Sequence, residues 1–447
     1  MHPALVNRVI FPLQEWVKGK PTHRRLHWLQ QTQWLSPQAL RELQFERLKA
    51  HLDFAYREVP YYTRLLDEHG LEPSRVASFD DFARIPCLTK DIIRARPDDL
   101  RPRTRVRGVQ RLSTGGSTGV PVTVLVDPKR AAFTDAARLR AHRWFGVDMG
   151  AREIVLWGSP IEVSKQDRIR AIRDWALNSR LLSAFDLGED ALARYAGILK
   201  RYRPEKLYGY ASALALLAGY LARTGWRAPD GWPRAVFATA EPLYEFQRAA
   251  IQTVFRCPVS VEYGCRDGGL VANECPAGGL HIPAEGMVVE TLESGELVLT
   301  NLDSYAMPLI RYRTGDIGAL DDKSCSCGRG LPLLRNLEGR RTDFLITPTG
   351  KVMHALAVIY VLREIPAIRQ FQVVQEGMDE LTVRIVPEGE LSAATRRHII
   401  SRLERLFDGH VNIQIELAET LTSPSGKHRY VISAVANERL EELLRAP

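Results

Sequence analysis

From residue 153 to residue 264 the sequence alternates two kinds of segment, and this alternation limits the available folds more than any other feature. The short runs "EIVLWG" (153–158), "KLYGY" (206–210), "RAVFATA" (234–240) and "VSVEYG" (259–264) are apolar along their length. "ASALALLAGYLA" and "LYEFQRAAIQTVF" follow the second and third of them with the length and composition of helices. A strand that is apolar throughout is covered on both faces, and strands alternating with helices run parallel. The expected fold class is therefore α/β, a large N-terminal domain of helix-covered sheets. Residues 24–58 add helical leucine spacing, and "VPYY" (59–62) is expected to break that helix.

A chain of 447 residues with 45% hydrophobic composition exceeds a usual single-domain core. After about residue 340 the pattern changes. "QFQVVQEG" and "ELTVRIV" read as an antiparallel pair, followed by a helix over 392–408, the strand "VNIQIEL" and a final helix over 436–445. This predicts a large domain over 1–339 and a small α+β C-terminal domain over 340–447, joined through "GRRTDFLITPTGK". The longest apolar segment, Leu207 to Ala222, is interrupted by glycine and tyrosine and is short for a membrane span. It reads as a strand entering a buried helix.

The net charge of +8 is spread along the chain without the aromatic interleaving of a base-stacking surface, so nucleic acid is not expected as a partner. Anionic small molecules suit such a chain better. Six cysteines make no disulfide framework at this length, and a reducing, cytoplasmic setting is expected.

"RLSTGGSTGVPVTV" (111–124) packs glycines and hydroxyls before a β-branched run. A P-loop would need a lysine after its last glycine, and Val120 stands there. Gly115-Gly116-Ser117-Thr118-Gly119 matches the G-x-S-x-G of a nucleophile elbow, which would make Ser117 an acyl hydrolase nucleophile. That elbow needs a helix after the serine, whereas Pro121 and "VTVLV" predict a strand. Successive amides and hydroxyls can also form an anion nest.

"STGGSTGVP" resembles the phosphate-binding signature of adenylate-forming enzymes, the acyl-CoA synthetase superfamily. "VEYGCRDGG", "RYRTGDIG", "GRRTDFLITPTGKV" and "SPSGKHRYVIS" follow in that superfamily's order. The front end, "VPYYTRLLDEHGLEPSRVASFDDFARIPCLTKDIIR", is similar to the phenylacetate-CoA ligase branch and its capsule-biosynthesis, CapK-like relatives. The resemblance implies that Ser113, Thr114, Gly115, Gly116, Ser117, Thr118 and Gly119 embrace the ATP phosphates, and that Asp316 accepts from the ribose hydroxyls. Glu241 falls beside the adenine, Tyr263 and Gly264 in the adenine-stacking turn, and Arg340 in the ribose- and hinge-adjacent position, with Thr342 or Asp343 flexing. Arg266 and Asp267 stand where the family carries threonine and glutamate. Asp267 keeps a carboxylate for Mg²⁺, whereas Arg266 alters the phosphate contact. Lys427, in a Pro-Ser-Gly turn, is the implied catalytic lysine that bridges the acid's carboxylate and the α-phosphate.

Cys275, His281, Cys325 and Cys327 form a Cys-x5-His and Cys-x-Cys pair, the closed tetrahedral set of a structural Zn²⁺ site. The function implied is an ATP-dependent, AMP-forming carboxylic-acid ligase with coenzyme A as acceptor. Transfer to an amine, a non-catalytic nucleotide-binding protein of a polysaccharide pathway and the Ser117 hydrolase remain alternatives. Trp157, Tyr208 and Tyr210 are candidates to line an aromatic acid pocket. A homodimer is expected from the resemblance alone.

Overall fold

The computed structural model describes residues 1–113, 122–158, 167–184, 187–338, 344–408, 411–419, 421 and 430–435. The segments predicted at 24–58 form two helices, Thr22–Thr32 and Pro37–Glu58. Ser36 starts the second by accepting from the Ala39 amide at 3.2 Å, with Pro37 in the first turn. Val59 ends that helix as expected. Pro60, however, opens another, Pro60–Glu68, because proline at a first helical position lacks only a donor that has no intrahelical partner.

The glycine-rich segment 114–121 lies in sequence between two strands, β1 (Gln110–Ser113) and β2 (Thr123–Val126), paired antiparallel with Ser113 opposite Thr123. The large sheet begins with β3 (Glu153–Trp157), β4 (Ser179–Ser183), β5 (Lys206–Tyr210), β6 (Ala235–Thr239) and β7 (Val259–Cys265), all parallel in the order β4-β3-β5-β6-β7. Short segments extend it antiparallel: β8 (Gly269–Glu274), β9 (Leu280–His281), β10 (Met287–Thr291), β11 (Glu296–Asn301), β12 (Tyr312–Asp321) and β13 (Leu333–Glu338). Among the described residues this is one mixed sheet of eleven strands, continuing from β7 as β8-β9-β13-β12-β11-β10. The sheet is parallel only where helices separate the strands.

The helix Ala211–Arg223 is buried almost throughout, which accounts for the long apolar segment. Among the described residues, no helix is long and apolar enough to cross a membrane. The helix Pro128–Arg143 packs against Thr22–Thr32 through Phe133, Leu139, Leu26 and Leu29. Gly286 has to be small there: a Cβ would lie 2.4 Å from the Phe133 ring. Beneath it Arg140 and Glu285, both fully buried, pair at 2.5 Å. Leu88 bridges to Tyr312, bringing the start of the helix Lys90–Ala95 beside β12.

Beyond residue 343 a hairpin of β14 (Phe344–Ile346) and β15 (Val352–His354) leads into a second, four-stranded sheet. Its strands are β16 (Ile368–Gly377), β17 (Glu380–Pro387), β18 (Asn412–Leu417) and β19 (Val431–Ser433), in the order β18-β17-β16-β19. β16 and β17 pair antiparallel, as their alternation predicts. The helices Leu356–Arg363 and Ala393–Leu406 share a core with this sheet around Phe371, Val383, Leu403 and Phe407. The final helix expected over 436–445 lies outside the described residues.

Candidate active site

The turn joining β7 to β8 and the start of β12 come together beside the β1 end. Gly264 sits where the β7–β8 register shifts, and a Cβ there would meet the Gly269 carbonyl at 2.8 Å. Two carboxylates face one another's segments across this junction. The Tyr263 hydroxyl, from β7, donates to Asp316 at 3.0 Å. The Tyr312 hydroxyl, from β12, donates to Asp267. Each acid is thus held by a tyrosine that precedes the other acid in sequence.

Asp316 and Asp267 are buried. The Asp316 amide donates to Thr314 Oγ1 at 3.0 Å, an interaction that shapes the turn. Burial works against ionisation of Asp267. The Tyr312 hydrogen bond and the Lys90 ammonium nevertheless hold its carboxyl below the ordinary range. Lys90 also reaches the Thr314 carbonyl at 3.5 Å. Arg130, buried on the helix Pro128–Arg143, donates to the Asp267 carbonyl and fixes the turn from the other side. Arg266 is exposed, and its Nη1 donates to the Ser113 carbonyl at 3.2 Å. It therefore ties the β7–β8 turn to the last described residue before the glycine loop.

Of the residues singled out in the sequence, the structure gathers Ser113, Tyr263, Gly264, Arg266, Asp267 and Asp316. The Tyr263 ring is itself packed with Val271 and Ala272. Glu241 accepts from the Ser212 amide at 2.6 Å, at the start of the helix Ala211–Arg223. Thr114, Gly115, Gly116, Ser117, Thr118, Gly119, Arg340, Thr342, Asp343 and Lys427 lie outside the described residues. The described residues on either side of 114–121 are paired antiparallel strands, whereas a nucleophile elbow runs from a strand into a helix.

Tyr312, Lys90 and Arg130 were not identified from the sequence. Neither was Glu262, although a carboxylate inside the apolar run "VSVEYG" is itself a signal of a buried partner. Glu262 accepts two bonds from Arg138, at 2.8 and 2.9 Å, and one from the Tyr208 hydroxyl at 2.8 Å. Beside this network Trp157 stacks on Tyr210, with centroids 4.4 Å apart and planes 12° apart. Tyr208 flanks Trp157 at 6.2 Å. These aromatics stand on one face of β3 and β5.

Cys275, His281, Cys325 and Cys327 converge, with one ligand atom of each lying within 4.8 Å of the others. Cys275 and Cys325 sulfurs are 3.6 Å apart, and Cys327 Sγ is 3.2 Å from His281 Nε2. Two thiolates on a tetrahedral zinc ion would be about 3.8 Å apart, so the donor set fits that ion. His281 Nδ1 lies 3.2 Å from the Leu331 carbonyl, which leaves Nε2 facing the sulfurs. Burial holds this imidazole neutral, with its pKa lowered to about 4. A Cβ at Gly279 would sit 2.7 Å from Cys325 Sγ and 3.3 Å from His281 Nε2, so only glycine leaves the centre open. Arg329, next in the loop, lies between the Trp34 and Trp144 rings at 5.0 and 4.5 Å.

Residues 345–434 match the family described as the CapK C-terminal domain. The chain is 24% identical to protein CapK of Staphylococcus aureus over 88% of its length and 89% of that protein's. It is 27% identical to a phenylacetate-coenzyme A ligase of Thermus thermophilus, over 78% of this chain and 82% of the relative. The solved structure of a 2-hydroxyisobutyryl-CoA ligase in complex with 2-HIB-AMP and CoA, in the thioesterification state, shares its fold. The TM-score is 0.60, with 19% identity, over 93% of this chain and 94% of that one.

Proposed function

Because this chain belongs to the adenylate-forming superfamily, in the branch of CapK and the phenylacetate-coenzyme A ligases, we propose that it is an ATP-dependent acid ligase. It activates a carboxylic acid as its acyl-adenylate, releases pyrophosphate and passes the acyl group to coenzyme A. The observation that carries this reading is the crossed pair of bonds from Tyr263 to Asp316 and from Tyr312 to Asp267.

A carboxylate is a poor electrophile and ATP is densely anionic, so the site has to orient both and offset the charge that shifts as pyrophosphate leaves. Asp316, kept in place by Tyr263, offers a carboxylate that accepts from two ribose hydroxyls. Residues 113–119 supply amides and hydroxyls to the β- and γ-phosphates, with Arg266 adding a cation at the start of that loop. Asp267 is buried and ionised, and it suits a magnesium ion that takes one protein oxygen and draws its others from phosphate and water. Such an ion offsets phosphate charge when bound. The ring ladder Trp157–Tyr210 supports an aromatic acid as the substrate class.

We assign the small domain to 340–447, with Lys427 reaching the carboxylate and the α-phosphate only during adenylation. The three cysteines and His281 hold zinc as a structural staple. They leave no coordination position for a reactant.

The test is acid-dependent ATP–pyrophosphate exchange across a panel of aryl and fatty acids, followed by thioester formation with coenzyme A. Exchange with an aryl acid and consumption of the thiol are expected. Nucleotide binding without exchange for any acid would identify a non-catalytic binder, the alternative that Arg266 in place of the family's threonine leaves open. Exchange followed by product formation only with an amine would reassign the acceptor.

A further inference from the structure

The N-terminal segment buries one side and leaves the other without protein cover. Val6, Phe11 and Glu15 face inward. Leu5, Val9, Leu13, Trp16 and Val17 face outward, and Trp16 is 78% exposed. Their three- and four-residue spacing puts these apolar side chains on a single helical stripe. The helix Asp167–Ala176 adds Ile172 and Trp175, the latter 65% exposed. The two elements are neighbours. Gln14 lines one cavity with Arg173, Asp174 and Leu177, and Asn178 Nδ2 donates to the Met1 carbonyl at 2.9 Å.

Cations outnumber acids around this face. Lys20 pairs with Asp135, Arg25 with Asp303 and Arg173 with Asp174, and the excess positive charge comes from Arg8, Lys18 and Arg24. Glu15 is buried and accepts from Thr22, so it does not offset them at the surface. Arg8, Lys18 and Arg24 are exposed, as is the Arg173 side chain at 46%.

We infer that residues 5–17 and the helix 167–176 together form a docking face for an anionic phospholipid surface, on which Trp16 and Trp175 enter the headgroup layer and the surrounding Arg and Lys meet lipid phosphates. An outward apolar stripe with tryptophan and a cationic flank has the chemistry of a helix lying in a bilayer interface. A second copy of this chain would bring cations against cations and fits the charge less well. Lipid association of this kind does not depend on which acid is activated.

The experiment is flotation of the full chain with vesicles of phosphatidylcholine alone and of phosphatidylcholine mixed with phosphatidylglycerol. Binding to the mixed vesicles is expected, weakening as salt is raised. The double variant Trp16→Ser, Trp175→Ser should bind at least roughly tenfold less. Lys18→Glu should bind less only where phosphatidylglycerol is present. Both variants change exposed residues and should keep the far-ultraviolet circular dichroism and acid-dependent exchange of the parent chain. Failure to float with mixed vesicles, or undiminished flotation of the tryptophan variant, overturns the inference. So does a concentration-dependent dimer in sedimentation that the tryptophan variant abolishes, since the face would then belong to a second copy.

Discussion

The Tyr312 hydroxyl donates to the Asp267 carboxylate from 45 residues away in sequence, inside a region that excludes most solvent. A hydrogen bond to a buried charge contributes about 1.5–3 kcal/mol, and here it also helps keep the acid ionised. Asp267 titrates below the ordinary carboxylate range in the folded chain. Its contribution to stability is therefore fully present above the unfolded pKa and is lost as pH falls through the depressed folded value. Tyr312→Phe removes the donor, so the carboxyl should take up its proton at a higher pH. Urea unfolding of both proteins from neutral to acid pH should show a deficit of about 1.5–3 kcal/mol in the variant at neutral pH, which narrows as the pH falls through the carboxylate range because the variant has less of this contribution to lose. Superimposable pH profiles would mean that the tyrosine does not govern this acid.

The Arg140–Glu285 pair anchors the helix Thr22–Thr32 to the sheet domain. Arg140 also donates to the Leu29 carbonyl at 3.2 Å, and Glu285 accepts from Thr32 at 2.8 Å. Removing one partner of such a buried pair leaves the other charged and unpaired, at about 3–5 kcal/mol. Glu285→Ala should lose about that much in urea unfolding, and Arg140→Met, Glu285→Met should recover part of the loss. A double variant no more stable than Glu285→Ala would place the cost in packing, not in the uncompensated charge.

For the cysteine–histidine cluster, purified protein should contain close to one equivalent of zinc. Removing it with a chelator should lower the melting temperature, and Cys327→Ser should reproduce that loss without changing the affinity for nucleotide. The physical reason is that structural zinc binding is coupled to folding, and this cluster joins the β9 region to the loop that carries Arg329. Normal melting in protein with less than a tenth of an equivalent of metal would leave the four residues as free thiols and a neutral imidazole.

Four of the five parallel strands, β3, β5, β6 and β7, were legible as short, largely apolar runs, with helices after β5 and β6, whereas β4, "SRLLS", is too polar to stand out. The antiparallel extension from β8 to β13 was not legible, since short strands separated by glycine and proline turns carry no comparable period. The break at Val59 was legible, whereas the new helix that Pro60 opens was not, because proline stops one helix and starts another with equal ease. Cysteine and histidine spacing singled out the four residues that converge, and the resemblance singled out both acids. It did not reveal the crossing of Tyr263 and Tyr312, because that depends on two distant strand ends meeting. Glu262 was legible in principle, as a charge inside an apolar strand, but its partners Arg138 and Tyr208 come from other elements. Lys90 gave no signal at all, and only the bridge between Leu88 and Tyr312 brings it to the site.

Lys427 lies outside the described residues, between β18 and β19 in sequence. β18 pairs with β17 at one edge of the small sheet, and β19 pairs with β16 at the other. The end of β18 at Leu417, opposite Ile385, and the start of β19 at Val431, opposite Val373, lie toward the same end of the sheet. "SPSGKHRY" lies between them in sequence. A lysine there serves adenylation if it bridges the carboxylate and the α-phosphate while charge redistributes, a contact made near the transition state and not in the ground state. Its loss should lower kcat more than nucleotide affinity. Lys427→Ala should cut acid-dependent ATP–pyrophosphate exchange by roughly 10²-fold or more, the scale of a lost oxyanion donor. Thioester formation from preformed acyl-adenylate should be largely spared, because that half-reaction makes no demand on the lysine. His428→Ala and Arg429→Ala should have smaller effects. Near-normal exchange in Lys427→Ala would show that this lysine does not act with the acids Asp267 and Asp316, and would remove the small domain from the adenylation step.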